Sequence, residues 1–308
     1  MNNNQADVKV ILNRLLVTGM QIPFSARIMQ TAVPFLTVLK ESSPTLLSHG
    51  VLKPSLCIVL QGRKKLQIGP KVIEYEAGDF LAASVDMPVN GQVTEAAADS
   101  PYMALRIELT PGEVAAVAAE ADLVPRPQTG LKPGIFVGKP SVEVYEGFEK
   151  LLRLSSDARA ANYLAPAVKR EIIYRLLDGE EGALFYNNML LHQEASGISK
   201  VIDWIKANFD SPFTIEELAE LGNMSASNLH YKFKEVTAMA PLQYQKRLRL
   251  QEARRLLLDG VNVTETALRV GYQSSTQFSR EYKRLFGLSP LQDIRTIIHE
   301  GRRHAENG

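Results

Sequence analysis

Two stretches of the chain, 229-LHYKFKEVTAMAP-241 and 278-FSREYKRLFGLSP-290, decide its reading. Each sets an apolar residue, an aromatic four positions later, a lysine directly after it, and a proline seven residues beyond the lysine. Leu229, Phe233, Lys234 and Pro241 therefore match Phe278, Tyr282, Lys283 and Pro290 without a gap. Residues four apart share one face of a helix, so each stretch predicts a helix with a two-residue apolar stripe. A shorter helix is predicted ahead of each copy, over Ile215 to Leu221 and Val263 to Val270. Asn223 and Gly271 stand in the intervening turns, and both residue types tolerate left-handed backbone.

The punctuation agrees with these boundaries. Thr214 with Glu217, Asn262 with Glu265, and Ser274 with Gln277 have the N-cap to N3 spacing of a capping box. Pro241 and Pro290 suit the first turn of a following helix. Helix, tight turn and second helix, at about 214–236 and again at about 263–286, form a duplicated helix-turn-helix, whose second helix enters the DNA major groove. The connecting stretch 241-PLQYQKRLRLQEARRLLLDG-260 lacks a breaker before Gly260. As a helix of about 18 residues it spans roughly 27 Å. That rod suits two wedges near one DNA repeat apart, about 34 Å. Its Lys246, Arg247, Arg249, Arg254 and Arg255 serve phosphates or solvate the rod.

Charge follows the same division. The 308 residues hold 35 Lys plus Arg against 34 Asp plus Glu, a formal +1 that excludes coating of nucleic acid by bulk charge. Residues 195–308 carry +3 and the remainder −2, while 225–286 alone carry +6. A phosphate-binding surface belongs in that last stretch. On the first recognition helix Leu229 and Phe233 are expected in the core, leaving Ser227, Asn228, His230 and Tyr231 outward with Lys232 beside them. On the second, Phe278 and Tyr282 are core, leaving Ser275, Thr276, Gln277, Ser279 and Arg280. Asn228 and Gln277 suit adenine and Arg280 suits guanine if they reach base edges; otherwise they contact phosphate.

Upstream, the pattern changes period. FLTVLKE, SLCIVLQG, KKLQIG, KVIEYEAG, GDFLAAS, VNGQVTE and MALRIEL, between Phe35 and Leu109, read as short strands of a sandwich or barrel. Helices are expected over Gly112 to Ala121, Ser141 to Leu154 and Asn162 to Leu177, the last with a stripe of Leu164, Val168, Ile172 and Leu176. An N-terminal helix carries Val10, Leu12, Leu15 and Leu16. Asp178 to Gly197, holding three glycines, is the expected junction. The fold class is thus an α+β multidomain chain: residues 1–194 an effector-binding and dimerisation domain with its barrel at about 35–110 and helices at about 111–192, and residues 195–308 an all-α DNA-binding domain.

Other chemistries find little support. The five histidines are His49, His192, His230, His299 and His304, and only His49 lies among the strands, so no metal site is expected. No phosphate loop or nucleophile elbow appears, so neither a cofactor nor a catalytic residue is expected. One cysteine, Cys57, cannot form an internal disulfide, which points to a reducing compartment. Together with the absence of a secretory signal or an apolar span, this suggests the cytoplasm. Cys57 itself is read as a small buried hydrophobe, the sharper alternative being a thiol that lines the barrel as the effector-site candidate and senses an oxidant or electrophile. Arg106 and Glu108 alternate with Leu105 and Ile107, making one strand face polar towards solvent or a ligand cavity, with solvent the expectation.

The C-terminal residues resemble the AraC/XylS family of bacterial transcription regulators. The likeness covers about Ser196 to Arg295 and is carried by IEELAELGNMSASNLHYKFKEVTAMAPLQYQKRLRLQEARRLLL and VTETALRVGYQSSTQFSREYKRLFGLSP. It singles out Ser227, His230 and Tyr231 as base-reading positions. Asn223 and Ala238 depart from the family's usual glycines, and LQDIR after Pro290 lacks its usual aromatic. From about Gln21 to Leu177 the chain resembles the N-terminal domain of one subgroup, which implies a cupin-like barrel, a small-molecule effector and a homodimer. Double-stranded promoter DNA would be the partner, joined by RNA polymerase for an activator. The rival reading is a ligand-binding or enzymatic cupin whose C-terminal helices mediate protein contacts; a further one is an architectural DNA-binding protein without effector.

Overall fold

Alternating apolar and polar residues between Leu36 and Glu108 fold into two antiparallel sheets in the computed structural model, which describes residues 2–22, 28–124, 133–191 and 197–306. The chain divides into two units, residues 1–199 with 232–238 and residues 200–231 with 239–308. The first sheet has the order β1-β2-β9-β4-β7-β10 and the second β3-β8-β5-β6. Their strands are β1 (Ile28–Gln30), β2 (Leu36–Glu41), β3 (Ser48–Leu52), β4 (Ser55–Gln61), β5 (Arg63–Ile68), β6 (Lys71–Glu76), β7 (Phe80–Ala83), β8 (Met87–Glu95), β9 (Tyr102–Glu108) and β10 (Ile135–Gly138). All seven strands read from the sequence are present. β1, β3 and β10 were not anticipated: they are short, and β1 and β3 bury little of their surface.

Register sorts the first sheet into two faces. Leu36 pairs with Ile107 and Ile107 with Leu56, while Val38 pairs with Leu105 and Leu105 with Ile58. Directly paired residues point to the same side, and all six are fully buried. They form one core with Leu15 of α1 (Asn2–Met20), Val114 of α2 (Pro111–Glu120), Phe148 of α3 (Val142–Leu154) and Ile172 of α4 (Ala158–Asp178). The intervening residues Thr37, Arg106 and Cys57 pair in the same way on the other side. That side faces the second sheet: Tyr75 of β6 lies within electrostatic reach of Cys57 and Arg106 and shares a side-chain hydrogen bond with Tyr102. Glu108 is exposed as expected, whereas Arg106 is half-buried and turned inward between the sheets.

The helical layer departs from its sequence pattern at one point. α4 begins at Ala158 because Asp157 accepts hydrogen bonds from the Arg159 and Ala160 amides. Its buried face is Ala161, Ala165, Ile172, Ile173 and Leu176, while Leu164 of the expected stripe is 46% exposed. Gly147 of α3 leaves room for Ile172 on that face, since a Cβ there would lie 2.4 Å from Ile172 Cγ1. Lys169, also buried, reaches Glu113 at 2.5 Å and lies 4.7 Å from the Phe35 ring centre, tying α4 to the cap of α2. The expected junction is helical over α5 (Gly182–Tyr186) and a π turn (Asn187–Leu191), and Phe185 and Met189 enter the same core. His192 lies outside the described residues.

The remaining helices are α6 (Ile198–Ala207), α7 (Ile215–Leu221), α8 (Ala226–Thr237), α9 (Pro241–Leu258), α10 (Val263–Arg269), α11 (Ser275–Phe286) and α12 (Pro290–Glu306), all in the second unit but for the first two residues of α6 and the part of α8 from Lys232 on. α9 is unbroken over 18 residues, the rod read from the sequence.

Candidate nucleic-acid interface

Each helix pair is set by local chemistry. Thr214 accepts from the Glu217 amide while Glu217 accepts from the Thr214 amide, closing a full capping box at α7. Asn262 and Ser274 accept from the Glu265 and Gln277 amides at the starts of α10 and α11. Both turns are left-handed, with φ of 52° at Asn223 and 83° at Gly271. At Gly271 a Cβ would lie 2.0 Å from the Asp210 carbonyl oxygen, so that turn excludes every side chain. Ala238 and Gly287 occupy matched positions three residues before the repeat prolines and are left-handed too, with φ of 56° and 81°. The alanine departure therefore carries backbone strain that the second copy avoids.

Burial divides the faces of α8 and α11. Leu229, Phe233, Phe278 and Tyr282 have no exposed surface. Ser227, Asn228, His230 and Tyr231 are exposed, and Lys232 is half-buried. Ser275, Thr276, Gln277 and Arg280 are exposed, with Ser279 half-buried. Four of the five cations of α9, Lys246, Arg249, Arg254 and Arg255, bond within the protein. Arg249 binds the carbonyls of Phe209, Ser211 and Gly271, stapling the Gly271 turn. Arg255 pairs with Glu252 and Asp259. Arg247 keeps Nη1 buried without a hydrogen-bond partner, and burial lowers its basicity.

Sequence reasoning missed two carboxylates that brace the second motif. Asp293 takes Arg254 Nε and Nη2 in a fork, both at 2.7 Å, and accepts the Tyr282 hydroxyl at 2.7 Å. It lies in LQDIR, the segment that lacks the family's usual aromatic, and forms a polar bridge from α12 to α9 and α11. Glu281 accepts from Lys246 Nζ at 2.9 Å and from the Tyr272 hydroxyl at 2.8 Å. Burial raises the Glu281 carboxyl, but these bonds outweigh it and hold it below the ordinary value. Burial also pushes the Tyr272 and Tyr282 hydroxyls well up, so both stay protonated donors. The available signal was an acid on an otherwise basic helix: Glu281 stands alone among Arg280, Lys283 and Arg284.

Cys57 is buried in β4, and burial raises its thiol above the ordinary value, which disfavours the thiolate. Among the described residues no group of three or more His, Cys, Asp and Glu side chains is placed to hold a metal, and no helix is long and apolar enough to cross a membrane.

A β-rich domain followed by paired helix-turn-helix motifs defines a two-domain, helix-turn-helix class of protein. The family model described as the AraC-type transcriptional regulator N-terminus matches residues 32–184, and a helix-turn-helix domain model matches 218–296, together about three quarters of the chain. The chain belongs to the AraC/XylS family of transcription regulators. It is 30% identical over 176 residues to the HTH-type transcriptional activator RhaS of Escherichia coli O6:H1, covering 56% of this chain and 61% of that one. The chain thus spans less than two thirds of the curated relatives it matches. ToxT of Vibrio cholerae shares the fold, with a TM-score of 0.56 at 11% identity over 84% of this chain and 97% of that one. An unsaturated fatty acid-bound ToxT from strain SCE256 gives 0.55 at 11% over 89% and 97%.

Proposed function

We propose that the chain is a sequence-specific DNA-binding transcription regulator of the cytoplasm, controlled by a small molecule held between the two sheets. The carrying observation is the shared architecture of α8 and α11: each buries its apolar and aromatic repeat residues completely, Leu229 and Phe233 in one and Phe278 and Tyr282 in the other, and presents a polar, partly basic face. Ser227, Asn228, His230, Tyr231 and Lys232 read one major-groove segment; Ser275, Gln277, Ser279 and Arg280 read the next. The effector biases the equilibrium between DNA-competent and incompetent states, so promoter occupancy follows its concentration. A homodimer doubles the number of wedges, and an activator of this design would hold RNA polymerase at the promoter. The RhaS and ToxT likenesses support the reading by family and by fold.

Mobility-shift titration of the full chain on DNA from upstream of its own gene tests it. With about 6–10 phosphate contacts, affinity falls about 10³- to 10⁵-fold between 50 and 200 mM salt. No binding, or binding indifferent to salt, contradicts the proposal.

A further inference from the structure

The two motifs match without a gap, so their outer faces can be compared residue by residue. On α11, Thr276, Gln277, Arg280, Lys283 and Arg284 are all exposed. They follow one another at steps of three and four, which sets them in one stripe away from Phe278 and Tyr282. Among the described residues, Arg280, Lys283 and Arg284 make no side-chain hydrogen bond or salt bridge. Glu281, the acid of this helix, is taken by Lys246 and Tyr272, although Arg284 lies within electrostatic reach of it. The stripe therefore carries three positive charges and no negative one.

On α8 the same positions hold Ser227, Asn228, Tyr231, Lys234 and Glu235, one charge of each sign. Tyr231, 65% exposed, stands where α11 has Arg280, and Glu235 stands where it has Arg284. Lys232, matched to Glu281, lies off the stripe and is half-buried. The preceding helices widen the difference. α7 exposes Glu216, Glu217 and Glu220 and contains no cation, whereas Glu265 of α10 is bonded to Arg269. Length then places the last-turn cations of α11. From Thr276 to Arg284 the helix rises about 12 Å, and the major groove is about 12 Å wide. A recognition helix meets base edges with its N-terminal residues, so its last turn arrives at the phosphates that wall the groove.

We propose that Lys283 and Arg284 hold those phosphates and make the second motif the electrostatic anchor of the complex, while the first motif binds through base contacts with little phosphate charge of its own. Phosphate contacts fix position without carrying sequence, and they supply the salt-dependent part of affinity. The second motif thus lends affinity to any duplex. The first, whose α7 acids repel phosphate, seats only where Ser227, Asn228, His230 and Tyr231 find their bases. This division rests on the reading of the chain as a DNA-binding regulator, and it names which half supplies affinity and which discrimination. Cations in a last turn also complement the helix dipole, but a role confined to that would change stability and leave salt dependence alone.

The test is fluorescence anisotropy of the full chain on labelled upstream DNA and on a shuffled duplex of equal length, between about 50 and 200 mM salt. For the double variant Lys283→Gln with Arg284→Gln, the slope of log affinity against log salt should become shallower by about 1.8, two contacts at about 0.9 each. The affinity lost across that salt range then shrinks about 12-fold. At the low-salt end, affinity should fall by the same factor on both duplexes. The matched change in the first motif, Lys234→Gln with Glu235→Gln, removes one charge of each sign and should leave the slope within about 0.5 of the parent. A second-motif variant with the parental slope, a loss confined to upstream DNA, or equal slope changes in the two variants overturns the division. So does a second-motif variant whose urea midpoint falls while its slope stays parental, since that shows a dipole effect alone. Parental binding with any of these results refutes the division and spares the regulator; no binding by the parent on either duplex refutes both.

Discussion

Asp293→Ala should loosen the second wedge. Asp293 is 5% exposed at its side chain and takes three hydrogen bonds, two from Arg254 and one from Tyr282. Alanine leaves a guanidinium that is 20% exposed and a buried phenol without their acceptor. Losing one partner of a buried pair costs about 3–5 kcal/mol. The lower end, about 3 kcal/mol, applies here, because Arg254 keeps some water access and lies 4.7 Å from the centre of the Phe286 ring. Trp204, the sole tryptophan, lies in α6 of the same unit and packs edge-on against Phe213, so its fluorescence reports unfolding there. With a urea slope of about 1–3 kcal/mol/M, the midpoint should fall by about 1–3 M. Asp293→Asn keeps the shape and one acceptor and should fall by less. A shift below about 0.3 M for Asp293→Ala would refute the idea that this bridge holds α9, α11 and α12 together.

Three further outcomes follow from the turns and the acids. Ala238→Gly should stabilise by about 1 kcal/mol, since the left-handed position penalises a Cβ by about 1–2 kcal/mol and glycine returns part of that as chain entropy; a thermal midpoint unchanged or lowered counts against the strain. Gly271→Ala should destabilise, because its Cβ meets the Asp210 carbonyl and φ is positive; a folded variant with unaltered urea midpoint contradicts that geometry. For Glu281 the folded carboxyl lies below its usual 4.5, so its contribution is complete above that pH and is lost as pH falls through the folded value. Stability should therefore drop more between pH 5 and pH 3 (about the carboxylate range) in the parent than in Glu281→Gln; parallel pH curves would remove the Lys246 bridge from the account.

What was legible in the sequence was the part governed by local rules. Thr214, Asn262 and Ser274 declare helix starts through their own side chains, and Asn223 and Gly271 declare left-handed turns, so the duplicated motif stands out within a few residues of text. The seven strands, short Val-, Ile- and Leu-rich runs broken by Gly and Pro, were legible for the same reason. β3, whose SHGVL has no buried alternation, exists because β8 offers it a partner, and such pairing is a long-range property. The stripe on α4 misled because the buried face runs through Ala161, Ala165, Lys169, Ile172 and Leu176, which leaves Leu164 beside it at the surface. Arg106 is the clearest case. A charged residue in an alternating strand reads as solvent-facing, and only the second sheet, through Tyr75, turns that side into an interior. Asp293 and Glu281 gain their roles from helices distant in sequence, which no spacing rule connects.

Hydroxyl-radical footprinting of the full chain on its upstream DNA tests the central claim most directly. Two protected segments on one face of the duplex, about 10 base pairs apart, are expected, with His230→Ala fading one and Arg280→Ala the other. A single protected segment, or one that both substitutions weaken alike, would contradict a chain that reads DNA with two wedges.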